Sequence, residues 1–469
     1  MFSLKIARVT HDRLINGLLI NFKGCYLKVD GGKVISRQVL WGIIMKNENK
    51  ISFFAAVLMS MNIMVGAGIL VAVGPMTNVA GNLSFLGWPL TALLLFPIIL
   101  GLAKAANIFP GEGGFFHYCS SGIGPLSGII AHWVYVLGFI GAAASLATVL
   151  RNGLSDIFQI DCIKTTPFVF NFALVLFYTL INLIPLEKIS KVQSIGTLLK
   201  ITPFLGVILL MAFYWKSDMS FNLSDLANLN KTFSMAIFAF LGFETCCSIG
   251  GILKGGPSRV GSVVITAFLI TVTIYTLLNL GLLFIMGGDN LAQYGAIGFP
   301  KFLGLSEKVG AAVQVGISFA ILFSWANSIL SISLGNITNI YTLAKKRLIL
   351  GSSFFSKVNR NQRPFYIALL HGLILLSYIS AVKDVEVLFA LTNVCVGVAM
   401  SLAMISVFVA LAKQKKYLQL IIPFLSFGSC GGWIYFSFIK IPNVFYILPI
   451  VVALIIAIVM YKMEKSENS

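Results

Sequence analysis

Long apolar stretches, separated by short polar ones, follow one another along the chain from residue 52 onward. A helix that crosses the hydrocarbon core of a bilayer needs about 20 mainly apolar residues. Twelve stretches come close to or exceed that length: 52–79, 83–106, 125–150, 167–185, 192–215, 232–253, 260–286, 309–341, 364–382, 385–411, 418–439 and 443–461. The alternation of polar and apolar positions that is typical of a membrane β-barrel is missing. We therefore predict an all-α integral membrane protein with twelve transmembrane helices.

The composition supports the membrane class. Hydrophobic residues make up 58% of the 469 residues and charged residues 11%, whereas soluble domains carry about 25% charged residues. A chain with 38 Phe is not disordered either. On a soluble protein the net charge of +18 would suggest nucleic acid, but on a membrane protein it is interpreted by its side of the bilayer. We expect the lipid bilayer and no nucleic acid as partner. Because the seven cysteines form no C-x-x-C motif, we also expect no metal site and no cofactor.

The charges of the loops predict the orientation. With the N-terminus inside, the inside loops and the C-terminal tail hold sixteen Lys and Arg residues and the outside loops hold eight. Because basic loops stay in the cytoplasm, we expect both termini to be cytoplasmic and the protein to lie in the plasma membrane, the inner membrane of a bacterium. Residues 1–51 then form a basic cytoplasmic extension. Alternatively, residues 1–44 are a wrongly assigned start, which an intact mass that begins at Met1 or Phe2 would exclude.

The first span contains two glycines around one alanine, Gly66-Ala67-Gly68, followed by Ile69. Its 28 residues would make a straight helix of about 42 Å, longer than a hydrocarbon core of about 30 Å. Glycine allows the helix to unwind here, and the N–H groups at the start of the outer half would suit a carboxylate. The alternative is that the small residues only allow close helix packing.

Two charged residues lie well inside the predicted spans. Glu244 follows Gly242 in the sixth span, near mid-membrane, where carboxylates are costly and usually functional. If the helix is broken at that glycine, the freed carbonyls around residues 239–241 would suit an ammonium group. Lys200 lies about 13 Å beyond Lys191 in the fifth span. Burial disfavours its charged form, so it is either a proton carrier or a fixed charge that locks neighbouring helices.

Interrupted spans 1 and 6 are five spans apart. This spacing predicts a repeat of spans 1–5 (residues 52–215) by spans 6–10 (residues 232–411), inverted because five is odd, with spans 11–12 and the cytoplasmic tail in residues 412–469. Corresponding broken helices in two inverted halves are typical of a secondary transporter whose site lies at the interface of the repeats.

At these residues the chain resembles the amino acid–polyamine–organocation transporter superfamily, which has a five-plus-five inverted-repeat fold. The resemblance covers essentially residues 45–461. Four stretches in order carry it: residues 66–68, residues 109–118 with Gly124-Pro125, residues 191–203, and residues 238–244 with residues 254–259 behind them.

The resemblance implies roles for individual residues. Backbone at Gly66, Ala67, Gly68 and Ile69 would hold the substrate carboxylate, and carbonyls of Ala239, Phe240 and Leu241 its α-amino group. Phe238 matches an aromatic gate over the substrate, and Tyr135 matches an aromatic residue beside the site. Glu244 matches a glutamate tied to proton sensing, and Lys200 matches a lysine that replaces a sodium ion in some proton-coupled members. The resemblance thus favours sodium-independent transport of amino acids by antiport or proton-coupled uptake.

Departures from the bacterial arginine/agmatine exchanger argue against arginine as the substrate. Ala67 stands where the exchanger has a serine, Ser331 or Ile332 falls where it has a tryptophan, and no tyrosine lies near Met400. Two alternatives stay open, a transport-derived amino acid sensor and an exchanger of an amino acid for its decarboxylated amine. An enzyme is not expected, because the spans contain no H-E-x-x-H or G-x-S-x-G motif. The protein is expected to be a monomer or a homodimer.

Overall fold

The computed structural model describes residues 52–65, 67–110, 113–160, 163, 166–211, 213, 222–244 and 253–467, together with short strands between residues 14 and 36. These strands form an antiparallel sheet in chain order: β1 (Leu14–Ile15), β2 (Leu18–Asn21), β3 (Tyr26–Lys28) and β4 (Val34–Ser36). The sequence did not predict strands, because the apolar runs in this extension are short. From residue 52 onward the described chain is helical, as predicted.

The first half of the membrane region contains the helices that correspond to predicted spans 1–5. They are α1 (Phe53–Met64), α2 (Ala67–Ala80), α3 (Gly87–Ile108), α4 (Gly114–Gly122), α5 (Pro125–Phe158), α6 (Pro167–Ile181) and α7 (Leu186–Met211). A 3-10 helix, Gly81–Leu86, joins α2 to α3. The predicted first span is therefore two helices, and α4 is an additional short helix between predicted spans 2 and 3.

The second half begins with a 3-10 helix, Leu223–Thr232, which leads into α8. Its helices are α8 (Phe233–Phe240), α9 (Val260–Met286), α10 (Gly288–Tyr294), α11 (Glu307–Lys345), α12 (Ser352–Phe355), α13 (Phe365–Ala381), α14 (Val385–Lys413), α15 (Ile421–Phe438) and α16 (Leu448–Glu467). Further 3-10 turns cover Pro257–Arg259, Ala296–Phe302, Tyr417–Leu420 and Val444–Ile447.

The burial of these helices fits a lipid environment. Among the described residues, seven helical stretches are long and apolar enough to cross a membrane. The most apolar part of α5 is 89% buried, which places it at the centre, where α14 and α11 pack on it. On the periphery, α15 exposes Phe424 (69%) and the turn before α16 exposes Phe445 (77%). Soluble proteins rarely expose so much contiguous apolar surface, whereas lipid covers it without cost.

Candidate functional site

The helix of predicted span 1 is interrupted. The last residue of α1 is Met64, Val65 still donates its N–H to the Met61 carbonyl (2.6 Å), and α2 begins at Ala67. Gly66 lies outside the described residues. The first N–H groups of a helix have no partner within the helix, so the backbone of Ala67, Gly68 and Ile69 offers donors at the start of α2. The interruption expected from the two glycines is thus present.

Span 6 is interrupted as well. The last residue of α8 is Phe240, and Leu241 leaves the helical conformation with a ψ of 139°. Gly242 follows with a φ of +116°, in the region that glycine adopts much more readily than other residues. The last carbonyls of a helix have no partner within it. The carbonyls near Ala239 therefore end the half-helix with the negative end of its dipole.

The two interruptions lie against each other. A Cβ atom placed on Gly68 would lie 2.6 Å from the Cα of Ala239, so the two backbones are in contact at this point. The hydroxyl of Tyr275 on α9 has two acceptors in reach, the carbonyl of Met64 and, at 3.1 Å, that of Ala239. Tyr275 therefore joins the end of α1 to the end of α8. The sequence did not predict this role, although a tyrosine in an apolar span is a signal, since its hydroxyl needs a partner.

A cavity opens beside this junction. Residues of the broken spans, Gly68 and Ala239 among them, form one side of it, which we call its floor, and residues of α5 and α11 line the rest. The described lining residues are Met64, Gly68, Phe139, Ala142, Leu146, Phe238, Ala239, Leu241, Ser328, Ser331 and Ile332. None of these side chains carries a charge.

Phe238 lines the cavity, and a second aromatic ring packs against it. Its ring stacks on that of Phe389 in α14, with 3.9 Å between the centroids and 26° between the planes. A ring in this position can close or open the cavity if the stack is released. The geometry is compatible with the predicted gate, which stays a prediction.

Glu244 is buried just behind the break in span 6. One carboxylate oxygen accepts from the Tyr135 hydroxyl at 3.0 Å, and the other accepts from the Gly242 N–H at 3.0 Å. Tyr135 is not among the described lining residues. Its ring centroid lies 4.7 Å from that of Phe139, and Phe139 does line the cavity. The carboxylate is therefore one side chain removed from the cavity and is connected to its wall through Tyr135.

Lys200 is 2% exposed, and its ammonium group donates to the backbone carbonyl of Asn62 in α1. It lines a second cavity between α2, α7, α9 and α11, and Ser324 is the other polar lining residue that the described part of the chain contributes. This contact attaches the lysine to the inner half of span 1, two residues before the end of α1. Such a contact serves a fixed charge and a proton carrier equally well, so both interpretations stay predictions.

Ile69 and Phe240, two further predicted site residues, are buried and are not among the described lining residues. Ile69 is fully buried in α2, and Phe240 packs on Trp88, Phe268 and Tyr275. The site therefore brings Gly68, Phe238, Ala239 and Leu241 together around one cavity. Phe139 and Ser328 are lining residues that the sequence did not predict, and Ser331 and Ile332 stood out only by alignment to a tryptophan. Within the described chain there is no cluster of three His, Cys, Asp or Glu residues that could bind a metal.

Known proteins match most of this membrane region. A family model described as amino acid permease matches residues 51–467. A glutamate/serine transporter, AimA, of Bacillus subtilis (strain 168) is 22% identical over 64% of this chain, and an arginine/agmatine antiporter of Chlamydia pneumoniae is 26% identical over 60%. An aspartate-proton symporter of Bacillus subtilis (strain 168) is 22% identical over 67%. The matches span 58%, 62% and 63% of these relatives' own lengths.

Proposed function

This chain belongs to the amino acid permease family, and from that premise we propose that it is a secondary transporter, not an enzyme, that carries amino acids across a membrane. The substrate site in this proposal is the cavity between the broken spans, reached from either side in turn by alternating access. Transport is sodium-independent and takes the form of antiport or proton-coupled uptake.

One observation supports this proposal most strongly: two oppositely polarised helix ends meet at one cavity. The N–H groups at the start of α2 suit a carboxylate, and the carbonyls at the end of α8 suit an ammonium group. An α-amino acid carries both groups on one carbon atom. Because the backbones touch at Gly68 and Ala239, one small zwitterion can contact both ends at once.

The proposal includes the finer features predicted from the sequence. The protein has twelve transmembrane helices in a five-plus-five inverted repeat, lies in the inner membrane of a bacterium with both termini in the cytoplasm, and works as a monomer or a homodimer. Lys200 and Glu244 carry the proton coupling where coupling occurs. Their support is that each one contacts the backbone of a broken span, Lys200 at Asn62 and Glu244 at Gly242.

Counterflow in proteoliposomes tests the proposal. The purified full chain is reconstituted with one unlabelled amino acid inside, and entry of the same labelled amino acid is followed for each of the twenty in turn, without sodium. We expect accumulation of at least one amino acid above protein-free vesicles. Decarboxylated amines loaded inside test amine exchange in the same format. If neither any amino acid nor any amine drives uptake, the proposal is wrong.

A further inference from the structure

The cavity differs from wall to wall in what it can bind. Residues of the broken spans line one half, where the ends of α2 and α8 suit the carboxylate and the ammonium group of an amino acid. The opposite side consists of side chains from α5 and α11. A substrate held by its main-chain atoms would therefore direct its own side chain toward α5 and α11. This orientation of the substrate rests on the proposed function, and so does the substrate class inferred from it.

The side-chain half of the cavity has no charge to pair with. The described lining residues there are Phe139, Ala142, Leu146, Ser328, Ser331 and Ile332. The two buried charges nearby are engaged elsewhere, since Lys200 lines the other cavity and both oxygens of Glu244 accept hydrogen bonds. A guanidinium or carboxylate side chain entering this half would lose its hydration without gaining a counterion, which is strongly unfavourable.

The same half does contain an unused hydrogen-bonding group. Ser328 is 5% exposed, lines the cavity, and its hydroxyl has no hydrogen-bond partner. Buried polar groups almost always have a partner, so one left unpaired in a cavity calls for a bound group. Ser331 lies three residues further on the same face of α11 and already donates its hydroxyl proton to the Asn327 carbonyl at 3.0 Å. Its oxygen can still accept, so the two serines together offer a donor and acceptors.

We infer that the transported substrate is a neutral amino acid with a short, hydrogen-bonding side chain, of the serine and threonine class, and that Ser328 recognises its hydroxyl group. The aromatic rings of Phe139 and Phe238 and the aliphatic chains of Leu146 and Ile332 bound the space around the serines. A site built to hydrogen-bond a hydroxyl discriminates against the analogue that lacks it.

The test compares serine with alanine, which differ by that hydroxyl alone. In the counterflow assay, unlabelled serine, threonine, alanine, arginine, agmatine and glutamate compete with labelled alanine for the wild-type protein. We expect serine and threonine to compete about 2- to 12-fold more strongly than alanine, the range that one net hydrogen bond provides. Arginine, agmatine and glutamate should compete weakly.

The variant Ser328→Ala should lower the apparent affinity for serine by the same factor and bring the ratio of serine to alanine affinity close to one. Thermal unfolding of the purified variant shows that it is folded. The matched control is Ser333→Ala, since Ser333 is another buried serine of α11 with an unpartnered hydroxyl, outside the described cavity lining. It should leave the ratio of serine to alanine affinity unchanged.

The outcomes separate this inference from the function on which it rests. If arginine, agmatine or glutamate is the preferred substrate, or if Ser328→Ala changes serine and alanine equally, the inference is wrong while amino acid transport stands. If none of the twenty amino acids is accumulated and no decarboxylated amine drives uptake, the proposed function itself fails. A drop in the serine-to-alanine ratio with Ser333→Ala of the same size as with Ser328→Ala would also overturn the assignment.

Discussion

Gly68 is the position at which a single methyl group should separate the two broken spans. The Cβ of an alanine there would lie 2.6 Å from the Cα and 3.0 Å from the Cβ of Ala239. Ordinary contacts of this kind begin at 3.4 Å. To bring 2.6 Å up to 3.4 Å, the backbones of α2 and α8 must move apart by about 0.8 Å. The obstacle is main chain, so a rotamer change of Ala239 cannot relieve it.

Two opposing effects set the size of the change. Overpacking of a tight contact destabilises the folded protein by about 1 to 3 kcal/mol. Replacing a helical glycine by alanine stabilises it by about 0.4 to 1 kcal/mol, because the unfolded chain then has less conformational entropy. The difference of the two ranges is about 0 to 2.6 kcal/mol, so we expect Gly68→Ala to lower the free energy of unfolding by about 1.3 kcal/mol, its midpoint. Because the contact forms the floor of the cavity, we also expect counterflow to fall about tenfold or more, which corresponds to about 1.4 kcal/mol of lost binding.

The measurement is thermal unfolding of the purified protein in detergent, together with counterflow of the best substrate. Gly335→Ala is the control, because Gly335 lies within α11 and a Cβ there meets no atom within 4 Å. It should keep wild-type transport and an equal or slightly higher melting temperature. A second variant, Ala239→Gly combined with Gly68→Ala, removes the contact at 3.0 Å but leaves that at 2.6 Å, so it should restore little. Wild-type melting and counterflow in Gly68→Ala would refute the reasoning.

Three further predictions concern the predicted gate Phe238, the buried Lys200, and His117 in α4. Phe238→Ala removes the ring that stacks on Phe389 and should raise the KM for substrate several-fold; wild-type kinetics would argue against a gate. Lys200→Ala should abolish or alter the pH dependence of uptake, and an unchanged rate and pH profile would exclude a proton role. Burial, and next the charge of Lys346, hold the pKa of His117 below its ordinary 6.5, so its protonation opposes folding. The melting temperature should fall as the pH drops below about 6.5, and His117→Gln should reduce that fall; the same slope in both proteins would contradict this.

The parts of the fold that depend on local sequence were predictable. An apolar stretch long enough to span a bilayer predicts a helix, because backbone groups in lipid must pair within the segment. The positions of the two interruptions could be predicted as well, because Gly66 and Gly68 permit unwinding in span 1 and Gly242 stands in span 6. Gly242 follows the end of α8 by two residues and has a positive φ. Both depend on residues adjacent in the chain. The strands between residues 14 and 36 escaped notice because their short apolar runs match no spanning length.

The parts of the site that depend on distant residues were not predictable from one sequence. Tyr275 is 211 residues from Met64, whose carbonyl it reaches, and Phe389 lies on a helix far along the chain from Phe238. Which face of α11 turns toward the cavity is decided by its packing on α5 and α7, and α11 is weakly amphipathic, with serines on several faces. A resemblance supplied the approximate position of Ser331, but only the packed structure distinguishes Ser328, which lines the cavity, from Ser333, which does not.

The two charges inside the membrane region contact different broken spans, and each contact starts from a helix that is itself continuous. Lys200 on α7 donates to the carbonyl of Asn62 near the end of α1, before the break in span 1, whereas Tyr135 on α5 donates to Glu244 beside the break in span 6. A neutral lysine remains a donor but a weaker one, and a protonated Glu244 can no longer accept equally at both oxygens. Protonation changes at the two sites would therefore alter the attachment of the two half-helices separately. Since Gly68 and Ala239 are in contact, a movement of either half-helix changes the shape of the same cavity. A change in the protonation of Lys200 or Glu244 would in this way change the affinity for a substrate bound there.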